Sequence, residues 1–182
     1  MATEIQGAKI VTEEIENAAG ANPYSITLGT ESTTTGGTSI DFTGIPSGVK
    51  YIAVMWNGVS GSGTSMKLLQ LGDSGGIETS GYVSVGQQMT SGANYGTNST
   101  AGFLMRDNDA SETLSGHWIL TLEDSSANTW VCSHSMLTSQ YAQSYVGSGG
   151  KSLSGTLDRI RLTTVNGSDT YDANGGINIQ FQ

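Results

Sequence analysis

Several residue types that would indicate particular functions are scarce in this sequence. Cys132 is the only cysteine, so no disulfide can form within the chain. The seven lysines and arginines are scattered, whereas a phosphate-binding surface needs clustered cations. This scarcity argues against nucleic acid and against an anionic membrane surface as partners.

Long hydrophobic runs are also missing. No stretch reaches the roughly 18 consecutive apolar residues of a membrane span. The first residues lack a basic region followed by an apolar one, so no signal peptide is predicted. We therefore expect a chain that is made and folded in the cytoplasm, with a net charge of -9 that keeps it soluble.

Small residues are abundant instead. The chain of 182 residues contains 26 glycines, 24 serines and 22 threonines. Such a composition is typical either of disorder or of short strands joined by tight turns. Only 13% of the residues are charged, and the apolar residues lie in alternating runs, so the β-rich interpretation is favoured. The length suits one domain with a sizeable core.

Ten short runs have the composition of β-strands. Alternation is clear in Ile177, Ile179 and Phe181, and in Trp118 and Leu120. The predicted strands are residues 24–28, 39–42, 49–56, 66–71, 82–85, 102–105, 116–122, 129–136, 157–163 and 176–181. Predicted turns lie at the pairs 36–37, 57–58, 75–76, 149–150 and 166–167, which are Gly-Gly or Asn-Gly. The pattern predicts an all-β fold, a β-sandwich or jelly roll of about ten antiparallel strands.

Three stretches between these runs are predicted to be long loops: residues 86–100, 106–113 and 139–152. The first and third are rich in Gly, Ser, Asn, Gln and Tyr. Recognition loops have this composition, because Tyr supplies contact area at low entropic cost and small polar residues adapt to a partner. Ordinary solvated loops are nevertheless the favoured interpretation, and recognition loops are the alternative.

The N-terminal residues differ from the rest of the chain. Residues 1–22 contain four acids and no serine, and Thr12 could cap a short helix that ends at Gly20. A helix of this length is marginal without a partner surface. We therefore divide the chain into a docking arm, residues 1–22, and a β-sandwich domain, residues 23–182.

Candidate nucleophiles and aromatic binding residues favour structural roles. Cys132 and His134 would share one face of a strand, but no oxyanion loop or third orienting group accompanies them. His117 is expected to face solvent, opposite Trp118. Three tryptophans, Trp56, Trp118 and Trp130, could stack on sugars, yet each lies on the apolar side of its strand, which favours core packing.

The acidic residues offer one weak candidate for a metal site. Asp107, Asp109 and Glu112 place oxygens along one loop, as calcium loops do, but the turn glycine is missing and Trp118 stands where a bidentate acid would be expected. A charged turn is favoured. The other acids near turns, Glu78, Glu112, Glu123, Asp124, Asp158, Asp169 and Asp172, are expected to form turns and to be solvated. No catalytic, cofactor-binding or metal residue is therefore assigned, no cofactor is expected, and any receptor-binding residues are unknown.

Several spaced phrases of the sequence do form a pattern. They are DFTGIPSGVK at residues 41–50, WNGVS at 56–60, QLGDSGGIETSGY at 70–82, LSGTLDRI at 153–160 and GINIQF at 176–181. Together they resemble a β module of tailed-bacteriophage virion proteins, found in tail-fibre-like proteins and in short virion surface proteins. The resemblance covers about residues 24–182 and carries no functional residues of its own. It implies an oligomeric part of the virion surface.

The leading hypothesis is a non-enzymatic structural protein of a bacteriophage virion, displayed as a fibre, appendage or receptor-binding part. Its expected partners are other virion proteins bound through the arm, further copies in a homotrimer, and a host surface glycan. A capsid decoration (cement) protein is the alternative, and a free carbohydrate-binding module is the third hypothesis.

Overall fold

Antiparallel strands make up the fold in a computed structural model that describes residues 25–34, 36–138, 140–172 and 175–182. Within these ranges the chain forms fourteen strands in two sheets and no helix. The all-β prediction is confirmed. The predicted helix of the docking arm and the boundary at residue 22 lie outside the described residues.

The larger sheet has nine of these strands. They are β1 (Thr27–Leu28), β2 (Ser32–Thr33), β4 (Tyr51–Val59), β7 (Val83–Met89), β8 (Asn94–Ser99), β10 (Leu114–Asp124), β11 (Thr129–Thr138), β12 (Gln143–Ser152) and β14 (Gly176–Phe181). Their order is β1-β14-β4-β10-β11-β12-β7-β8, and β2 also pairs with β14.

The smaller sheet has five strands. They are β3 (Ile40–Thr43), β5 (Lys67–Asp73), β6 (Gly76–Ile77), β9 (Phe103–Met105) and β13 (Arg159–Thr164). Their order is β3-β13-β5-β6, with β9 on the other side of β5.

The core lies between the two sheets. Strand β11 shows why these sequences form strands, since its inward residues are buried at every second position from Trp130 to Thr138 and the residues between them are exposed. Trp118 and Leu120 of the larger sheet and Leu69 and Ile160 of the smaller one belong to one buried apolar cluster. Two sheets joined in this way form the two-layer arrangement of a β-sandwich.

Two of the three predicted loops are instead largely strands. Residues 86–100 contain the end of β7 and all of β8, and residues 139–152 contain all of β12. The predicted turns at Asn57–Gly58 and Gly149–Gly150 are wrong for the same reason, because these pairs lie within β4 and β12. Gly58 does have a positive φ of 69°, at a place where the register between β4 and β10 shifts. Residues 106–113 form no strand, as predicted.

Candidate functional site

Cys132 and His134 do share the inner face of β11, but their environment is that of core residues. Burial raises the pKa of the Cys132 thiol well above its usual range and lowers the pKa of His134 to about 4. The His134 ring lies against Trp118, with 4.2 Å between ring centroids, and its Nε2 is 3.0 Å from the carbonyl oxygen of Leu104. A buried thiol beside a neutral imidazole provides no thiolate for nucleophilic catalysis.

The tryptophans and His117 lie where the sequence predicted. Trp56, Trp118 and Trp130 are buried in the core, so none can stack on a ligand at the surface. His117 is exposed on the opposite side of β10 from Trp118. The exposed aromatic side chains of the described residues are Tyr95 and Tyr141, about half exposed, which the sequence analysis did not single out.

The acidic segment at residues 106–113 is not a solvated turn throughout. Asp107 and Glu112 are each only 1% exposed, whereas Asp109 is partly exposed and accepts hydrogen bonds from Ser111. Lys67 of β5 is equally buried, and its Nζ lies 2.6 Å from Oδ2 of Asp107. An ammonium group therefore takes the position next to Asp107 that a cation would occupy. In the described ranges no group of three or more His, Cys, Asp or Glu residues could hold a metal ion.

Glu112 completes this buried polar cluster. Its carboxylate accepts a hydrogen bond from the hydroxyl of Tyr145, which is itself fully buried. Burial, together with the hydrogen bond to Asp107, raises the pKa of Glu112 to about 7. The expectation that Glu112 only forms a turn is wrong, because the side chain faces the interior. We call Lys67, Asp107, Glu112 and Tyr145 the buried cluster.

Next to the buried cluster, a polar cleft opens at one end of the sandwich. It has a volume of about 420 Å³, and every residue that lines it is polar: Gln88, Thr90, Tyr95, Arg106, Asn108 and Gln143. All three segments that were predicted as loops contribute to it. They meet here because β7, β8 and β12 are neighbours in the larger sheet and residues 106–113 follow β9.

Arg106 is the central cation of this polar cleft. Its Nη1 donates to Oε1 of Gln88 at 2.6 Å, and its Nε donates to Oγ1 of Thr97 at 3.3 Å. The guanidinium carbon lies 5.0 Å from the centroid of the Tyr95 ring, within cation–π range. Gln88 also donates to Gln143 at 2.6 Å. These contacts hold the guanidinium in one position at the surface.

The outer side of the larger sheet has a different character, because its central rows carry no Asp, Glu, Lys or Arg. The residues of each row are in register across neighbouring strands. The rows are Tyr51-Thr121-Val131-Gly150-Val83, then Gln180-Ala53-Ile119-Ser133-Ser148-Val85-Asn98, then Asn178-Met55-His117-Ser135-Val146-Gln87-Gly96, and last Ser115-Leu137-Ser144-Met89-Asn94. We call this surface the uncharged face.

Two shallow apolar depressions lie on the uncharged face. One, of about 440 Å³, includes Met55 and Ile119 on β4 and β10. The other, of about 490 Å³, includes Val83, Val85 and Val131 on β7 and β11. Ala53, Met55 and Ile119 face away from the core, as the register shows, although Ala53 is covered by its neighbours. Val83 is 77% exposed, so the second depression has unusually open apolar walls.

The outer side of the smaller sheet contrasts with the uncharged face. Arg161 pairs with Asp41 across β13 and β3, at 2.6 Å, and Arg159 pairs with Asp158, also at 2.6 Å. One side of the sandwich thus has the charged surface of an ordinary soluble protein. The other side lacks it, although the chain as a whole carries a net charge of -9.

Comparison with protein-family models, with curated proteins and with solved structures finds no match to this chain. None of the described segments forms a helix that is long and apolar enough to cross a membrane.

Proposed function

We propose that this chain is a non-enzymatic structural protein of a bacteriophage virion, displayed as a fibre, appendage or receptor-binding part. The uncharged face is the observation that carries the proposal, because an acidic chain has no reason to keep one broad sheet surface free of charge unless that surface is covered in an assembly. The jelly-roll connectivity and the docking role of residues 1–22 belong to the same proposal.

A second copy of the chain is the proposed occupant of the uncharged face. The smaller sheet presents ion pairs, so it would have to desolvate them in order to pack against this face. The uncharged face of another copy brings no such cost. With strands about 4.8 Å apart, the seven strands from β14 to β8 span roughly 29 Å, and the four rows span roughly 20 Å along the strands. The face therefore covers roughly 600 Å² per copy, which is near the lower limit for a stable interface.

Three copies fit the layout of the uncharged face best. Its two apolar depressions lie on different strands, β4 and β10 for one, β7 and β11 for the other. Ser133 and Ser135 of β11 lie between them. Contact between the first depression of one copy and the second of the next is heterologous, and such a contact forms a ring when the rotation between copies closes, as we propose for three copies here.

Imaging of the particles tests this function. Particles of the phage that encodes the chain should show the sandwich on the outside, as three copies around each attachment point. Density over the capsid lattice instead, with the uncharged face against capsid subunits, would favour a decoration protein. Absence of the chain from purified particles, despite its presence in infected cells, would contradict both.

A further inference from the structure

Arg106 differs from the two arginines of the smaller sheet. Arg159 and Arg161 each pair with a carboxylate at 2.6 Å. Arg106 forms no ion pair with any of the described residues, although its guanidinium is fixed by Gln88, Thr97 and the ring of Tyr95. Nη2 of Arg106 forms no hydrogen bond with the described residues, so a guanidinium that is already fixed through Nε and Nη1 can still donate to a carboxylate.

The charge around Arg106 is mixed, because three acids lie in the segment that follows it. Asp107, the adjacent carboxylate, is buried against Lys67. Glu112 lies behind it, hydrogen-bonded to Tyr145 and to Asp107. Asp107 and Glu112 therefore have partners within the buried cluster, whereas Asp109, next to the cleft residue Asn108, is partly exposed and forms no ion pair with the described residues. Arg106 is the cation that an anionic ligand would meet in the cleft.

The rest of the cleft indicates what carries the anion. Its volume of about 420 Å³ lies within the range of small-molecule sites, about 300–1,000 Å³. The lining offers amides from Asn108 and Gln143, with Tyr95 as its one ring, whereas the Gln88 amide is already bonded to Arg106 and Gln143 and the Thr90 hydroxyl to Ala93. An apolar peptide anchor would find no apolar pocket there. A ligand with several hydroxyl groups beside one carboxylate would find the guanidinium for its carboxylate and amides for its hydroxyls.

The walls of the cleft are also ordered in advance of any ligand. Gln140, in the connection between β11 and β12, accepts a hydrogen bond from the backbone N–H of Thr113 at 3.0 Å and donates to the hydroxyl of Thr113 at 2.9 Å. The Lys67–Asp107 pair holds the other end of the same segment. A site whose side chains are already positioned loses less entropy when it binds.

We infer that the polar cleft binds a carboxylate-bearing sugar unit, with Arg106 on the carboxylate and the amides of Asn108 and Gln143 on the hydroxyls. This inference rests on the proposed role as a receptor-binding part and names the class of receptor. The cleft residues Gln88, Tyr95 and Gln143 point away from the uncharged face, because they alternate with Gln87, Gly96 and Ser144 along their strands. A trimer that covers the uncharged face would leave three clefts open, and their weak contacts would act together on one polymer.

Binding of single sugars to the purified full-length chain tests the inference. The probes are glucuronate, N-acetylneuraminate and glucose, with saturation-transfer NMR and titration as readouts. At least one of the two acidic sugars, glucuronate or N-acetylneuraminate, should bind at least tenfold more tightly than glucose. The two sugars represent two sources of the same chemistry. Equal binding of glucose and glucuronate would overturn the inference. So would acetate or inorganic phosphate binding as tightly as the acidic sugars, since the cleft would then be an anion site only.

Variants assign the binding to Arg106. Arg106→Gln should weaken glucuronate binding at least tenfold, the size expected when a charge-assisted bidentate pair is lost. The affinity of Arg106→Lys for glucuronate should lie between those of the original chain and Arg106→Gln. Arg161→Gln, which removes an arginine on the smaller sheet, is the matched control and should bind like the original chain. Unchanged glucuronate binding by Arg106→Gln would overturn the assignment. If Arg106→Gln does not fold, Tyr95→Ala, at an exposed position of the cleft, serves as the second variant.

Particle incorporation separates this inference from the proposed function. Arg106→Gln should still assemble into virions at normal copy number, because the cleft lies away from the uncharged face. Virions that contain the chain without any acidic-sugar binding would contradict the cleft inference alone. Sugar binding by a chain that never enters virions would contradict the virion role alone.

Discussion

Lys67 is the residue that connects the smaller sheet to the segment carrying the cleft. Its side chain leaves β5, is 1% exposed, and ends on Asp107. Burial of an ammonium group is costly, and the cost is offset only while its partner is in place. The pair therefore contributes more to the position of residues 106–113 than to overall stability.

Removal of one partner should show this dependence. Lys67→Met should lower the free energy of unfolding by about 3–5 kcal/mol, because it leaves the Asp107 carboxylate buried and unpaired. The double variant Lys67→Met/Asp107→Leu should recover much of that loss. Arg161→Met, which breaks a pair that is about one-third exposed, should cost about 1 kcal/mol or less. Urea unfolding measures all three, and equal losses for Lys67→Met and Arg161→Met would contradict the interpretation.

Glu112 and His134 should have opposite effects on stability as the pH changes. The fold raises the pKa of Glu112 from 4.5 to about 7, so the unfolded chain loses this proton first and stability falls as the pH rises through that interval. The fold lowers the pKa of His134 from 6.5 to about 4, so the unfolded chain gains this proton first and stability falls as the pH drops through that interval. Between pH 4.5 and 6.5 the two effects should nearly cancel.

Glu112→Gln should reveal the contribution of His134. Glutamine can still donate to Asp107 and accept from Tyr145, but it does not titrate. The free energy of unfolding of this variant should rise between pH 4.5 and 6.5, by roughly 1 kcal/mol per pH unit relative to the original chain. Glu123 is exposed, so Glu123→Gln should leave the profile unchanged. Parallel profiles for the original chain and Glu112→Gln, measured by thermal unfolding across this range, would show that Glu112 does not hold its proton.

At the scale of the single strand, the clarity of the alternation between apolar and polar residues decides whether the strand can be predicted from the sequence. Strand β11 alternates apolar and polar residues without interruption, and its prediction is confirmed. Strand β12 has Gly147 and Gly149 at the inward positions where apolar residues would be expected, so its sequence resembles a loop. The reason lies in the packing across the sandwich. A Cβ on Gly149 would lie 2.4 Å from the carbonyl oxygen of Val83 and 2.9 Å from the Phe103 ring.

The candidate site escaped prediction for a related reason. Its residues come from three separate segments, and only the order of strands β8, β7 and β12 brings those segments together. The composition of residues 86–100 and 139–152 is typical of loops and does not indicate that both segments are largely strands. The inward burial of Glu112 has no signal in the local sequence, because its partners are Tyr145 of β12 and Asp107, which is itself paired with Lys67 of β5.

Replacement of two neighbouring glycines by alanine should change the stability of the protein by very different amounts. A Cβ on Gly86 in β7 would lie 2.4 Å from the carbonyl oxygen of Leu104, a backbone atom of β9 that cannot move aside cheaply. A Cβ on Gly96 in β8 would meet nothing closer than 3.8 Å. Gly86→Ala should therefore destabilise the protein by about 1–3 kcal/mol, and Gly96→Ala should be close to neutral. Similar unfolding midpoints for both variants would mean that β9 packs less closely on β7 than described.

At the scale of the whole molecule, we propose that the uncharged face serves assembly and that the polar cleft, on the opposite side of the same strands, serves recognition. Leu28 and Leu137 add exposed apolar area to the side with the uncharged face. On a monomer this much apolar surface would favour non-specific association. We therefore expect the isolated chain to form a closed oligomer in solution.

Sedimentation of the full-length chain at micromolar concentration should show a trimer. Val85→Asp places a charge in one apolar depression and should shift the chain towards monomer with little change in its fold, since Val85 is 45% exposed. Val165→Asp is the matched control, because Val165 is 58% exposed but lies in a turn after β13. A monomeric original chain, or equal dissociation by both variants, would remove the oligomer from the proposal and favour a free binding module.

The alternation of β7 and β8 has a consequence for how such a protein could adapt. Gln88, Tyr95 and Thr97 face the cleft side, and their chain neighbours Gln87, Gly96 and Asn98 belong to the uncharged face. Selection for a new sugar and selection for an unchanged assembly would thus act on alternating residues of the same two strands. In a library of this chain selected on altered host surfaces, accepted substitutions in these strands should recur with a period of two residues. Host range could then change through substitutions at the cleft residues, while the residues between them, which belong to the uncharged face, keep the particle geometry constant.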